Sequence, residues 1–212
     1  MHLAILGAGN VGRALATAWM KKGHVIRFGV RNPQDADLAA FVREASPRIS
    51  AHDNASAVAG ADVVVLATPW SSARAALASC GELDGKTIID CTNPLRSDLS
   101  GLEIGLTTSG AEQLAAAARG AFVFKAFNQT GAENMQDQRG YAAPLAMFVA
   151  GDDAPRKATV LQLVRDAGFA AIDAGPLTAA RLLEPLAMLW IHLAFRMGRG
   201  RDFGLALLDR KK

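Results

Sequence analysis

The densest chemical signal in the chain is the run Gly7-Ala8-Gly9-Asn10-Val11-Gly12. A strand-like apolar run, Leu3–Leu6, leads into it. A helical stretch, Asn10–Lys22, leaves it, and a second strand-like run begins at Val25. In that context each glycine has a task. Gly7 allows the tight turn, Gly9 lets the backbone approach a pyrophosphate, and Gly12 lets the helix pack closely on the strand. Ala8, Asn10 and Val11 complete the cradle. The helix start adds open N–H donors and a positive dipole end. A ligand-free turn would leave the agreement of three glycines with both flanking elements unexplained.

The end of the second strand decides which dinucleotide fits. An Asp or Glu there would accept from the ribose hydroxyls. The chain instead reads Phe28-Gly29-Val30-Arg31-Asn32-Pro33, with no acid. An Arg at that point pairs with a 2′-phosphate and stacks on adenine. NADP is therefore expected over NAD. The alternative is a surface Arg31 paired with Asp35.

The other residues at strand ends, where ligands of open α/β sheets bind, are Thr68-Pro69-Trp70, Cys91-Thr92-Asn93-Pro94 and Lys125 to Ala132. Thr68 and Pro69 are expected on the nicotinamide-side ribose. Trp70 either stacks on a ligand or packs the turn. Asn93, Asn128 and Ala132 are expected to line the nicotinamide side, with Lys125 and Asn128 facing the cleft. No catalytic residue is identified. Cys91 reads as a small core residue. His24 and His192 read as packed or surface groups. No HExxH, GxSxG or paired-carboxylate pattern occurs. Reducing a ketone usually needs a proton donor beside the carbonyl. Hydride exchange with another redox ring needs mainly stacking and orientation. The absence of an acid therefore favours a ring-type acceptor.

The elements that must hold these residues alternate along the chain. Strand-like runs are Leu3–Leu6, Val25–Phe28, Val63–Ala67, Thr87–Asp90, Phe122–Phe127, Leu145–Ala150 and Ala170–Asp173. Helical stretches are Asn10–Lys22, Asp35–Ala45, Ser71–Ser79, Gly110–Arg119 and Ala154–Ala167. This pattern predicts an α/β, Rossmann-like, doubly wound and mainly parallel sheet with a small C-terminal helical segment. Residues 1–150 would form the NADP-binding domain. Residues 151–212 would be an extension packed on the same core, the whole being one compact unit. Thr178 to Met197 reads as a long helix kinked at Pro185. Its segment Leu182–Phe195 is apolar on nearly every face, which predicts burial against the sheet and a second subunit, hence a homodimer.

Composition sets the outer limits. Half of the 212 residues are hydrophobic and a fifth are charged, which argues against a disordered or coiled-coil chain. A net charge of +3 is too small for a nucleic-acid footprint. The charged C-terminus (Arg196, Arg199, Arg201, Arg210, Lys211, Lys212) reads as a solubilising tail. Two cysteines, Cys80 and Cys91, build no disulfide framework, and with the four histidines they show no metal-ligand spacing. A reducing, cytoplasmic location is expected. Gly7 and Gly9 interrupt any signal-peptide core, and no uncharged apolar stretch of about 18 residues spans a bilayer.

Taken together these blocks resemble the F420-dependent NADP oxidoreductase family. Ala4-Ile5-Leu6-Gly7-Ala8-Gly9-Asn10-Val11-Gly12 is similar to its opening, and Gly29-Val30-Arg31 to its Gly-Ser-Arg phosphate site. Asp173-Ala174-Gly175-Pro176-Leu177 with Arg181-Leu182-Leu183-Glu184 is similar to its C-terminal block. Ala67-Thr68-Pro69-Trp70, Asp90 to Leu95 and Lys125-Ala126-Phe127-Asn128 resemble relatives of the group. The resemblance implies one Rossmann-like domain, NADP at the first loop, a homodimer, and hydride transfer between NADPH and the deazaflavin F420. Two positions depart from the pattern. Val30 stands where the family has Ser, and Asn128-Gln129 stands where F420-binding members often carry His-Thr. The second departure makes a flavin the other candidate acceptor. Two further readings are a reductase of a small carbonyl or imine and a non-catalytic NADP sensor. The first usually adds a helical domain of about a hundred residues, and 61 residues follow Gly151.

Overall fold

The computed structural model describes residues 1–45 and 47–210. Six strands, β1 (His2–Leu6), β2 (Val25–Gly29), β3 (Ile49–His52), β4 (Val63–Leu66), β5 (Thr87–Asp90) and β6 (Phe122–Lys125), form one sheet. Their order is β3-β2-β1-β4-β5-β6 and every neighbouring pair is parallel. β4 and β5 are buried throughout and β1 is buried beyond His2. Strands covered on both faces read as continuous apolar runs, which is why these were visible in the sequence.

The helices are α1 (Asn10–Lys21), α2 (Ala36–Ala45), α3 (Asn54–Ala59), α4 (Trp70–Ala78), α5 (Gly110–Ala117), α6 (Ala132–Gln136), α7 (Ala154–Asp166) and α8 (Ala180–Ile191). Side chains alternate across the sheet. Leu3 and Ile5 enter one core with Leu15, Trp19, Leu38, Val160 and Leu163. Ala4 and Leu6 enter the other with Val58, Leu77 and Leu114. Helices thus cover both faces, as the doubly wound expectation required. Trp19 is fully buried, donates from Nε1 to the Leu163 carbonyl at 2.8 Å, and meets the Phe127 ring edge-on at 5.5 Å. It ties α1 to α7 beneath the sheet.

β3, α3 and α6 escaped the sequence reading. β3 is an edge strand that buries only Ile49, so Ile49-Ser50-Ala51-His52 lacks an apolar run. α3 spans six residues, started by the Asp53 carboxylate accepting from the Ser56 N–H at 2.8 Å. α6 spans five. Elements this short carry no readable periodicity.

After β6 the topology changes. β7 (Ala146–Val149) and β8 (Ala170–Asp173) form a separate parallel pair, joined to β6 by an antiparallel bridge between Lys125 and Ala150. A boundary drawn at residue 150 passes between these paired strands. The expected helix Thr178–Met197 is three pieces: a 3-10 turn Leu177–Ala179, α8 with Pro185 inside it, and a π-helical turn His192–Arg196. The stretch 177–196 is long and apolar enough to cross a membrane by length and composition, against the expectation that none would be. Here its charges dock it on the body. Arg181 makes a two-pronged pair with Glu112 at 2.6 and 2.9 Å, and Glu184 reaches Lys125 at 2.9 Å.

The basic tail, whose composition predicts a solvated segment, is instead docked on the body. Phe203 stacks on Trp190 at 5.1 Å, and its carbonyl accepts from Trp190 Nε1 and Asn134 Nδ2. Arg201 pairs with Glu133 at 2.9 Å. The Leu205 carbonyl accepts from the Ala146 N–H at 2.7 Å, so the tail continues the edge of β7. Lys211 and Lys212 lie outside the described residues.

Candidate dinucleotide cleft

The chain runs outward from β1 to β3 and then returns to β4 on the other side of β1. Loops therefore diverge at the carboxyl ends of β1 and β4, leaving a crevice. Register places the parts. Leu6 lies opposite both Gly29 and Leu66, so Gly7, Val30 and Ala67 emerge at one height. The cleft there measures about 620 Å³ and is lined by the glycine turn, the end of β2 and the start of α4.

The glycines differ in what they permit. Gly7 has φ +100°, and a Cβ there would meet the Ala67 carbonyl oxygen at 2.8 Å. A Cβ on Gly12 would lie 2.2 Å from the Gly7 oxygen and 3.3 Å from Ile5 Cγ2, so α1 touches β1 through Gly12. A Cβ on Gly9 would meet nothing within 4 Å, which leaves the approach to the helix start open. No side chain caps α1 and no acidic residue sits in its first turn. Its backbone donors are the kind of group a phosphate satisfies.

At the far end the Asp35 carboxylate accepts from the Leu38 N–H at 3.0 Å and starts α2. Among the described residues Arg31 makes no ion pair, so the surface pairing with Asp35 does not form. Gly29 admits Asn54: a Cβ there would lie 2.7 Å from Asn54 Oδ1. Asn54 donates to Ser79 Oγ at 2.8 Å, but its Oδ1 has no partner. Thr68 Oγ1 is likewise buried and unpartnered. Both residues line the cleft. Two orphaned oxygens beside an uncapped helix start and an unpaired guanidinium fit a polyhydroxylated phosphate ligand.

Of the sequence-expected residues, Gly7, Ala8, Gly9, Val30, Arg31, Thr68 and Pro69 line this cleft, while Asn10, Val11 and Gly12 form the first turn of α1 beside it. Four others lie elsewhere. Trp70 starts α4 and packs its ring over Gly110, 3.1 Å from where a Cβ would stand. There the half-buried ring packs α4 against the start of α5. Asn93 and Asn128 bond each other: Asn93 Nδ2 donates to the Asn128 carbonyl at 2.8 Å, and Asn128 Nδ2 donates to Asn93 Oδ1 at 3.0 Å. Ala132 is buried and borders a separate 340 Å³ groove with Asn10. Arg13, Asn54, Ser72 and Ser79 line the cleft and were not foreseen. Arg13 directly follows the glycine motif, which was signal enough. Asn54 follows the unread β3.

The other groups capable of chemistry lie away from the cleft. Lys125 does not face the cleft. It is fully buried, 2.9 Å from both Asp90 and Glu184, and donates to the Thr92 carbonyl. Burial pulls the ammonium's pKa down, but the charges and hydrogen bonds of Asp90 and Glu184 outweigh that and hold it above its ordinary value. Glu184 also accepts from the Gly110 and Ala111 N–H groups at 2.9 and 3.1 Å, capping α5. The Cys91 thiol is pushed up by burial and by the Asp90 charge. His24 pairs with Asp166 at 3.0 Å, and His192 is exposed on the last turn. The ionisable residues lining the cleft are Arg13, Arg31 and Asp35.

This sheet order, glycine turn and switch-point cleft define a dinucleotide-binding Rossmann protein. Residues 2–94 match the family described as NADP oxidoreductase coenzyme F420-dependent. The chain is 31% identical to the F420-dependent NADP reductase of Methanothermobacter thermautotrophicus, over 99% of this chain and 95% of that one. A solved protein from Arthrobacter sp. FB24, provisionally named an F420-dependent NADP reductase, superposes with a TM-score of 0.89. It is 34% identical and covers 99% of this chain and 100% of its own. Rat metalloreductase STEAP3 is 28% identical over 88% of this chain, which spans only 37% of that longer protein. The chain belongs to the F420-dependent NADP oxidoreductase family, and it is an NADP-dependent oxidoreductase.

Proposed function

We propose that this protein moves hydride between NADPH and the deazaflavin ring of F420. The observation that carries this is the cleft itself: an uncapped helix start at one end and an unpaired Arg31 at the other, with no general acid between them. When bound, NADPH supplies the hydride. The chain's part is to bind and orient. The first turn of α1 holds the pyrophosphate through its N–H groups, Arg31 holds the 2′-phosphate, and Thr68 sits beside the nicotinamide-side ribose. Lys125 is locked between two carboxylates and cannot serve a carbonyl substrate as acid. A ring acceptor needs none.

A flavin is the second acceptor reading. Asn128 and Gln129 are buried and bonded to Asn93, Leu183 and Phe148, so neither offers a free donor to a deazaflavin. NADPH oxidation measured against F420, FMN, FAD, quinones and ferric chelates separates the readings. Turnover with F420 supports the first, and turnover with flavins alone replaces it. NADPH binding without turnover on any acceptor would leave the sensor reading standing.

The same proposal includes a homodimer built on α8. Leu182 and Leu189, two turns apart on α8, are more than half exposed, as are Phe195 in the π-helical turn and Met197 just past it, apolar surface that a second copy would cover. Residues 151–212 act as part of the same unit as residues 1–150, supported by the β7–β8 pair and the Lys125–Glu184 bridge. Sedimentation showing only a monomer at micromolar concentration would remove the dimer.

A further inference from the structure

Arg13 is the first residue after the glycine motif, and it shares the cleft wall with Arg31. Its guanidinium is held on three sides. Nε donates to the Ala8 carbonyl at 2.8 Å, Nη2 donates to Asp37 Oδ2 at 2.5 Å, and Cζ sits 5.1 Å from the centre of the Phe41 ring. The side chain is still 27% exposed, and that of its carboxylate partner is 80% exposed. A guanidinium presents a rigid fork of donors that matches phosphate oxygens. Ala8 and Val30, the cradle and strand-end residues of this cleft, carry no hydroxyl for a phosphate to use.

We propose that Arg13 and Arg31 form a two-guanidinium clamp for the 2′-phosphate, with Asp37 as the anion that occupies Arg13 in the free protein. This rests on the NADP reading given above. The Ala8 carbonyl and the Phe41 ring pre-position the fork, so little rotamer freedom is left to lose on binding. Asp37 stands in for the phosphate and competes with it. Swapping one anion for another leaves the positive charge paired in both states. The cost falls on affinity, because Asp37 must release its partner and then stands near a dianion. Asp37 therefore tunes how tightly the phosphorylated cofactor binds. The competing possibility is that Arg13–Asp37 merely staples α1 to α2, and it predicts a different response.

The test is the dissociation constants of NADPH and of NADH for the wild type, Arg13→Met, Arg31→Met, Asp37→Asn and the Arg13→Met/Asp37→Asn double variant, with ligand-free melting temperatures alongside. Losing a charge-assisted contact to the phosphate should weaken NADPH about tenfold or more in Arg13→Met. NADH should stay within about twofold, since it carries no group for the clamp. Asp37→Asn should tighten NADPH, and that gain should vanish in the double variant. Because Asp37 is on the surface, this arm stands even if Arg13→Met folds poorly. Equal losses for NADPH and NADH, an unchanged NADPH constant, or weaker NADPH binding in Asp37→Asn would overturn the clamp. A wild type that prefers NADH would overturn the NADP reading and the clamp together. A wild type that prefers NADPH but ignores Arg13 overturns the clamp alone.

Discussion

Two glycines three residues apart should respond oppositely to the same substitution. Gly12→Ala places a methyl 2.2 Å from the Gly7 carbonyl oxygen. That oxygen cannot retreat, because Gly7 is fixed in a left-handed turn with its N–H bonded to the Gly29 carbonyl at 2.9 Å. Forced overpacking costs about 1–3 kcal/mol. The better helix propensity of Ala returns about 1 kcal/mol at most. A 2.2 Å approach to a backbone atom belongs at the upper end of that cost, leaving a net loss of about 2 kcal/mol, so at about 2–4 °C per kcal/mol Gly12→Ala should melt about 4–8 °C lower. Gly9→Ala meets nothing within 4 Å, and its φ of −79° suits any residue. Losing Gly as N-cap costs about 1 kcal/mol or less, so the melting temperature should move by about 4 °C or less. Its methyl nevertheless projects into the path of the pyrophosphate, and NADPH affinity should fall about tenfold or more. Thermal melts without ligand and NADPH titrations decide the matter. If Gly9→Ala binds NADPH normally, or destabilises the fold as much as Gly12→Ala, the assignment of the cleft is wrong.

Lys125→Met would strand Asp90 and Glu184 as buried, unpaired carboxylates, and should cost about 3–5 kcal/mol in denaturant unfolding; a loss below about 1 kcal/mol would show that the triad does not hold β5, β6 and α8 together. Cys80 and Cys91 should resist thiol reagents in the folded protein near pH 8, since burial raises Cys80 to about 11 and Cys91 further, and both should react on unfolding. Fast labelling of either in the native state would refute their burial. The Arg181 hydrogen bond, ahead of the counteracting desolvation, holds the Glu112 carboxyl below its ordinary value. Its folded pKa is depressed, so the stabilisation is present above the unfolded value and fades as pH falls through the folded one. The melting-temperature gap between wild type and Arg181→Met should therefore shrink from about pH 6 to about pH 3. A gap that is constant or grows would contradict it.

What the sequence reveals follows from which forces leave a local trace. The parallel core strands are covered on both faces, so Val63–Leu66 shows as an unbroken apolar run and Thr87–Asp90 as two isoleucines between polar ends. The glycine turn is legible because steric demands at Gly7 and Gly12 admit nothing larger. β3 is not legible, because an edge strand needs only Ile49 inside. The roles of Lys125, Asn93 and Asn128 also escape a linear reading. All three sit at strand ends, as expected, but their orientation depends on partners far along the chain. Glu184, 59 positions after Lys125, turns that lysine inward, and Asn128, 35 positions after Asn93, consumes its amide. Sequence position told which loop each belongs to, and only the packed structure told which way each one points.

If the proposed function holds, this cleft delivers hydride from NADPH to a redox ring. The most direct test is a single turnover of NADPH deuterated at both C4 positions with F420. Hydride delivery gives a slowed transfer and deuterium recovered in the reduced deazaflavin. NADPH bound tightly with no oxidation by F420, or reduced F420 free of the label, would contradict it.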